Sequence, residues 1–174
     1  MNERAGQINF LGEIQSQGTA KGLVKEAGDF VIVKRIVLRS IVMKCPCGCG
    51  DDLVINLDPR VDKTWQLYSK NKKFTIYPSI WRDNRCESHF IIWNSKIYWC
   101  DYESLWEDSF DDDRLSKRIL KFLKNNPGFY PFHDIAQKIG EIPWGVLEAS
   151  RKLVKNNFLI EGEKNSKGSF SYKI

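Results

Sequence analysis

Residues 45–50 read Cys45-Pro46-Cys47-Gly48-Cys49-Gly50, and a fourth cysteine opens Cys86-Glu87-Ser88-His89. Cysteines alternating with Pro and Gly make a poor core strand, since Pro lacks an amide donor and Gly has no side chain to pack. The same spacing suits a soft metal. Zinc takes four thiolate or imidazole ligands in a tetrahedron, and short Cys-x-Cys and Cys-x-x-His chelates supply them in pairs. Gly48 and Gly50 allow the tight, partly left-handed turns such a knuckle needs. Cys45, Cys47, Cys49 and Cys86 are the expected ligands of a structural zinc, with His89 as a competing fifth candidate. The remaining cysteine, Cys100, follows Ile97-Tyr98-Trp99 in a strand-like run and is expected in the core. An odd count of five argues against a disulfide framework.

Strands are expected on both sides of the knuckle. Phe30-Val31-Ile32-Val33 and Ile36 to Met43 are rich in β-branched residues. Asp52 to Leu57 follows, ended by Asp58-Pro59. Trp65 to Ser69 and Phe74 to Tyr77 form an expected hairpin across Lys70-Asn71-Lys72, with Pro78-Ser79 in a turn after it. His89 to Trp93 and Lys96 to Cys100 form a second hairpin about Asn94-Ser95. Six or seven short strands thus predict a compact, mostly antiparallel β-domain built round the cysteine-rich knuckle.

The 174 residues are 42% hydrophobic, 28% charged and 13% aromatic, a composition that excludes disordered, fibrous and membrane-spanning classes. With no apolar leader at the N-terminus, the expected location is cytoplasmic. Charge is uneven. Residues 1–113 hold 15 Lys and Arg against 17 Asp and Glu, whereas residues 114–174 hold 12 against 5. The acidic run Glu107, Asp108, Asp111, Asp112 and Asp113 marks the seam, giving a β-domain over residues 1–110 and a basic module over residues 111–174.

The second module changes period. Leu115, Ile119, Phe122 and Leu123 repeat at helical spacing, and Asn126-Pro127-Gly128 stops that helix. Short helices follow over His133 to Ile139 and Trp144 to Asn156. Phe158-Leu159-Ile160 and Ser169 to Tyr172 then flank a polar tip. Three helices followed by a hairpin is the winged helix-turn-helix order, so the fold class is α+β. Arg151, Lys152 and Lys155 on the third helix, with Lys164 and Lys167 on the wing, suit phosphate contact with DNA. Yet that helix opens with Trp144, Val146 and Leu147 and offers no base-reading side chain in its first turn, which suits contact with a protein instead.

Part of the β-domain resembles a known family. Gly22-Leu23-Val24, Gly28-Asp29, the Cys45–Gly50 block, Pro78-Ser79-Ile80-Trp81, Cys86-Glu87-Ser88-His89-Phe90, Ile97 and Trp99 are similar to the BubE-like bacterial domain family, found beside ubiquitin-like conjugation genes. The match spans about residues 20–101. It implies a serine-type peptidase or isopeptidase that processes or deconjugates a ubiquitin-like protein. The partners implied are that protein or its conjugates and, beside them, activating-enzyme-like or conjugating-enzyme-like proteins.

Such chemistry needs a nucleophile and a base about 3 Å from it. The segment offers Ser79 and Ser88 as competing nucleophiles and His89 as base. Ser88 and His89 are neighbours and point to opposite faces of a regular strand, so Ser88 needs a local bend to meet the imidazole. Ser79 could reach it across the sheet, and Glu87 or an Asp could orient the ring. An imidazole nitrogen bound to zinc cannot also act as base, so the metal set decides whether His89 is available. Trp81 is placed to end a groove for an extended substrate tail laid against a sheet edge. The alternative is a non-catalytic zinc-binding adaptor whose basic tail contacts DNA or a conjugation partner.

Overall fold

A computed structural model describes residues 3–61, 63–83, 85–100 and 113–173. The chain divides into two compact units, Met1–Glu103 and Ser104–Ile174. Of the acidic run, Glu107, Asp108, Asp111 and Asp112 lie outside the described residues.

Unit 1 contains two four-stranded sheets. The first is β1 (Asn9–Ile14), β2 (Asp29–Lys34), β3 (Leu38–Lys44) and β4 (Asp52–Asn56), in chain order. The second is β5 (Gln66–Lys70), β6 (Lys73–Trp81), β7 (His89–Trp93) and β8 (Lys96–Trp99), also in order. All pairings are antiparallel except β1 with β2, which is parallel. Helix α1 (Gln17–Leu23) supplies the crossover that a parallel pair requires.

Alternation along β2 explains the layering. Phe30 and Ile32 join Ile41, Met43, Ile55, Phe74, Ile76, Phe90 and Ile92 in the core shared by the two sheets. Val31 and Val33 point the other way and, with Val42, pack against Ala20 and Val24. Both faces of β2 are therefore buried, which is why its sequence is a continuous apolar run.

Several boundaries differ from the sequence expectation. β1 and α1 precede the first expected strand. β1 is largely exposed and carries Gly12 at φ +132, and α1 is short and glycine-containing, so neither shows a clear apolar period. Ile36 and Val37 belong to the turn between β2 and β3, where Ile36 is 96% exposed. Ser79 lies within β6 and not in a turn, because the strand continues through Pro78 to Trp81. Cys100 sits one residue past β8 and is exposed, so it is not a core residue. Asn71 and Lys72, and likewise Asn94 and Ser95, take positive φ as the central residues of two-residue hairpin turns.

Unit 2 runs α2 (Asp113–Asn125), β9 (Tyr130–Pro131), α3 (Phe132–Ile139), α4 (Pro143–Lys155), β10 (Leu159–Glu161) and β11 (Ser169–Tyr172). Its strands form one sheet in the order β10-β11-β9. Gly140, at φ +65, is the left-handed cap that ends α3. Trp144, Val146 and Leu147 at the start of α4 are buried, and Arg151, Lys152 and Lys155 at its end are exposed. Among the described residues no helix is long and apolar enough to cross a membrane.

Candidate active site and metal centre

Register brings the chemistry-bearing residues of β6 and β7 together. Ile76 pairs with Ile92 and Ile80 with Phe90, so Tyr77, Pro78 and Ser79 together oppose Ile91 alone. The bulge adds two residues to β6, so the alternation of the strand is kept while its register against β7 shifts by two. Beyond it Ile80 faces the core, while Ser79 and Trp81 face outward, and Trp81 pairs directly with His89. Arg82 donates its amide to the Ser88 carbonyl, and the His89 carbonyl accepts from the Cys100 amide on the opposite side. Trp81 and His89 are thus a non-hydrogen-bonded pair, the closer of the two antiparallel pair types.

On that outward face the Ser79 Oγ and His89 Nε2 lie 3.1 Å apart. Both residues are half-buried. The Trp65 indole donates to the Ser79 carbonyl at 3.2 Å and anchors the main chain beneath the hydroxyl. The Trp81 ring, 65% exposed, lies 5.9 Å from the imidazole. Among the described residues no carboxylate comes within ion-pairing distance of His89, Glu87 included. The arrangement is a serine–histidine pair, capable of moving a proton from hydroxyl to imidazole.

Ser88 has different company. It is buried, and its Oγ is 3.2 Å from the Cys86 Sγ. It faces the knuckle while its neighbour His89 faces Ser79.

Cys45, just past β3, comes together with Cys47, Cys49 and Cys86, their sulfurs all within 4.8 Å of one another. Two of the separations are 3.3 Å, Cys45 to Cys47, and 3.7 Å, Cys45 to Cys86. Four thiolates at about 2.3 Å from one zinc stand about 3.8 Å apart, so this donor set fits a tetrahedral ion. Burial pushes the Cys45 thiol up. Burial also works to raise Cys47, but hydrogen bonds from Ser88 and its neighbouring cysteines bring it down to about 6. His89 is not part of the sulfur cluster.

Two carboxylate contacts close the loops. The Asp51 carbonyl accepts the Cys45 amide, and the Asp51 carboxylate receives Arg82 Nη2 at 3.1 Å and Arg85 Nη1 at 3.3 Å. Sequence reasoning did not single out Asp51 or Arg82. Their only signal was an acidic residue directly after the cysteine block and a basic one directly after Trp81.

Residues 18–100 match the model of the family described as bacterial ubiquitination-like system serine protease (BubE). No curated protein and no solved structure matches the chain.

Proposed function

We propose that unit 1, which carries a BubE-like domain over residues 18–100, is a serine-type peptidase or isopeptidase acting on a ubiquitin-like protein. The observation that carries this reading is the 3.1 Å approach of Ser79 Oγ to His89 Nε2 on an outward-facing surface. Ser79 Oγ attacks the scissile carbonyl and gives its proton to His89 Nε2. The imidazolium passes that proton to the leaving amine, and an acyl ester remains on Ser79. Water then gives its proton to the imidazole and attacks the ester, releasing the new carboxylate and restoring Ser79.

Cys45, Cys47, Cys49 and Cys86 hold a structural zinc. Four protein ligands fill a tetrahedron and leave no open position, so the ion's contribution is to cross-link the knuckle with the segment leading into β7. Ser88 supports the sulfurs and is not the nucleophile. Trp81, exposed beside the imidazole, receives the extended tail of the substrate.

Unit 2 is winged-helix-like and docks a protein of the same conjugation pathway, either the substrate or an activating-enzyme-like or conjugating-enzyme-like partner. The burial of Trp144, Val146 and Leu147 supports a protein over DNA, because the first turns of α4 are not available to a groove. The setting is the cytoplasm.

The test is cleavage of a ubiquitin-like protein fused through its C-terminus to a reporter, with bound zinc measured on each sample. Cleavage that Ser79→Ala abolishes at full zinc content supports the reading. A folded, zinc-loaded wild type that does not cleave overturns it in favour of the adaptor.

A further inference from the structure

Residues 82–88, between β6 and β7, separate the two members of the serine–histidine pair along the chain. Ser79 lies three residues before this segment and His89 directly after it. The spacing between Oγ and Nε2 therefore depends on how the mouth of that hairpin is held. One hydrogen bond across the mouth, from the Arg82 amide to the Ser88 carbonyl, belongs to the sheet. Two further restraints come from outside it, Cys86 in the sulfur cluster and the Arg82 side chain. Arg82 has a side chain only 12% exposed and reaches across to Asp51, which directly follows the cysteine block. The same carboxylate takes Arg85 from the far side of the segment.

Asp51 is itself well fixed. Its carbonyl accepts the amide of Cys45, and Lys44, the residue before, is ion-paired at 2.6 Å with Asp52, the residue after. A mostly buried guanidinium held by one anchored carboxylate has a single low-energy position. Without that carboxylate it must find water or another acceptor and take its main chain with it.

We propose that Asp51, acting through Arg82, is a positioning residue for the Ser79–His89 pair, locking the hairpin that carries both to the cysteine knuckle. This rests on Ser79 being the nucleophile. The knuckle and the reacting pair then form one mechanical unit, in which Asp51 sets where the imidazole stands relative to the hydroxyl. A displacement of about 1 Å in such a pair costs on the order of 100-fold in rate.

A serine-directed fluorophosphonate probe tests this on the full chain without a protein substrate, since Ser79 Oγ displaces fluoride from phosphorus as His89 takes the proton. Labelling is followed in wild type, Ser79→Ala, Asp51→Asn, Arg82→Ala and Arg82→Lys, with zinc content and Tm recorded for each. The expected result is labelling of wild type that is lost in Ser79→Ala. In Asp51→Asn and Arg82→Ala the maximal labelling rate falls roughly 30- to 100-fold with little change in the probe concentration at half-maximum. Arg82→Lys, which keeps a cation within reach of Asp51, recovers most of that rate. A merely structural role lowers Tm or the labelled fraction and leaves the rate of the folded fraction alone.

Asp51→Asn or Arg82→Ala protein that labels at the wild-type rate overturns the proposal while leaving Ser79 as nucleophile. A folded wild type that is not labelled overturns the nucleophile itself. Should Asp51→Asn fold poorly, the ratio between Arg82→Lys and Arg82→Ala decides: equal rates in the two overturn the proposal.

Discussion

Ser79 and His89 meet Oγ to Nε2 at 3.1 Å across two neighbouring strands, each standing three residues from the core pair Ile76–Ile92 and so on the same outward face. Ser79→Ala is expected to lower kcat by at least about 10³-fold with Tm within a degree or two of wild type, since a half-buried hydroxyl contributes little to folding. Ser88→Ala is expected to retain turnover when zinc is in excess and to bind zinc roughly tenfold more weakly, because its hydroxyl supports the sulfurs. Steady-state kinetics and a zinc-chelator competition separate the two.

Trp81 offers its exposed ring beside the imidazole without serving the core. Trp81→Ala is expected to raise KM for the fusion by about tenfold, with kcat for a small ester and Tm unchanged, as for loss of an aromatic contact worth about 1.4 kcal/mol. An unchanged KM places the substrate tail elsewhere.

The sulfur cluster predicts about one zinc per chain, lost on treatment with a strong chelator. Removal is expected to cost about 3 kcal/mol, roughly 15 °C in the Tm of unit 1. Cys45→Ser should reproduce that loss, and Cys100→Ser, which changes an exposed thiol outside the cluster, should not. Elemental analysis and calorimetry on the same samples provide the readout.

Asp29 gives a pH dependence with a definite sign. Burial works to raise its carboxyl, but the Glu26 amide, the Asn9 side chain and the Lys25 amide together hold it below its ordinary value of 3.8. Such a group favours the folded state above pH 3.8, and that contribution fades as pH falls through the lowered native value. Asp29→Asn should therefore be less stable than wild type by about 1–3 kcal/mol at pH 7. The gap between the two should narrow below pH 3.8 in urea melts taken across the acid range. A gap that stays constant to pH 2 would exclude this account.

The knuckle was legible because Cys, Pro and Gly at alternate positions leave few other structures open, and Asn94-Ser95 because a two-residue polar step between apolar runs has one common geometry. The choice between the serines was not legible. It depends on strand register: Ser79 and His89 each stand three residues from the core pair Ile76–Ile92 and share the outward face, while Ser88 turns to the sulfurs. Pro78 reads as the end of a strand, yet a bulge is one of the few places within a sheet where proline is tolerated. Asp51 and Arg82 were equally hidden, because an ion pair 31 positions apart in sequence leaves no periodic trace.

The first residues of unit 1 wait for the last. The Ala5 amide reaches the Pro46 carbonyl, Gln7 bridges to Lys96 and the Ile8 amide reaches the Ser95 carbonyl before β1 begins, and the amide of its first residue, Asn9, reaches the Gly28 carbonyl. During synthesis, segment 5–8 is thus made about 90 residues before the strand it closes against, and that loop must be gathered with no local contact to guide it. A ribosome that stalls before residue 96 leaves β7 and the bridging segment without the strand they pair with, and the second sheet open to proteases and to neighbouring nascent chains. Native structure in this unit is therefore expected to arise in one late step, after its final strand clears the exit tunnel.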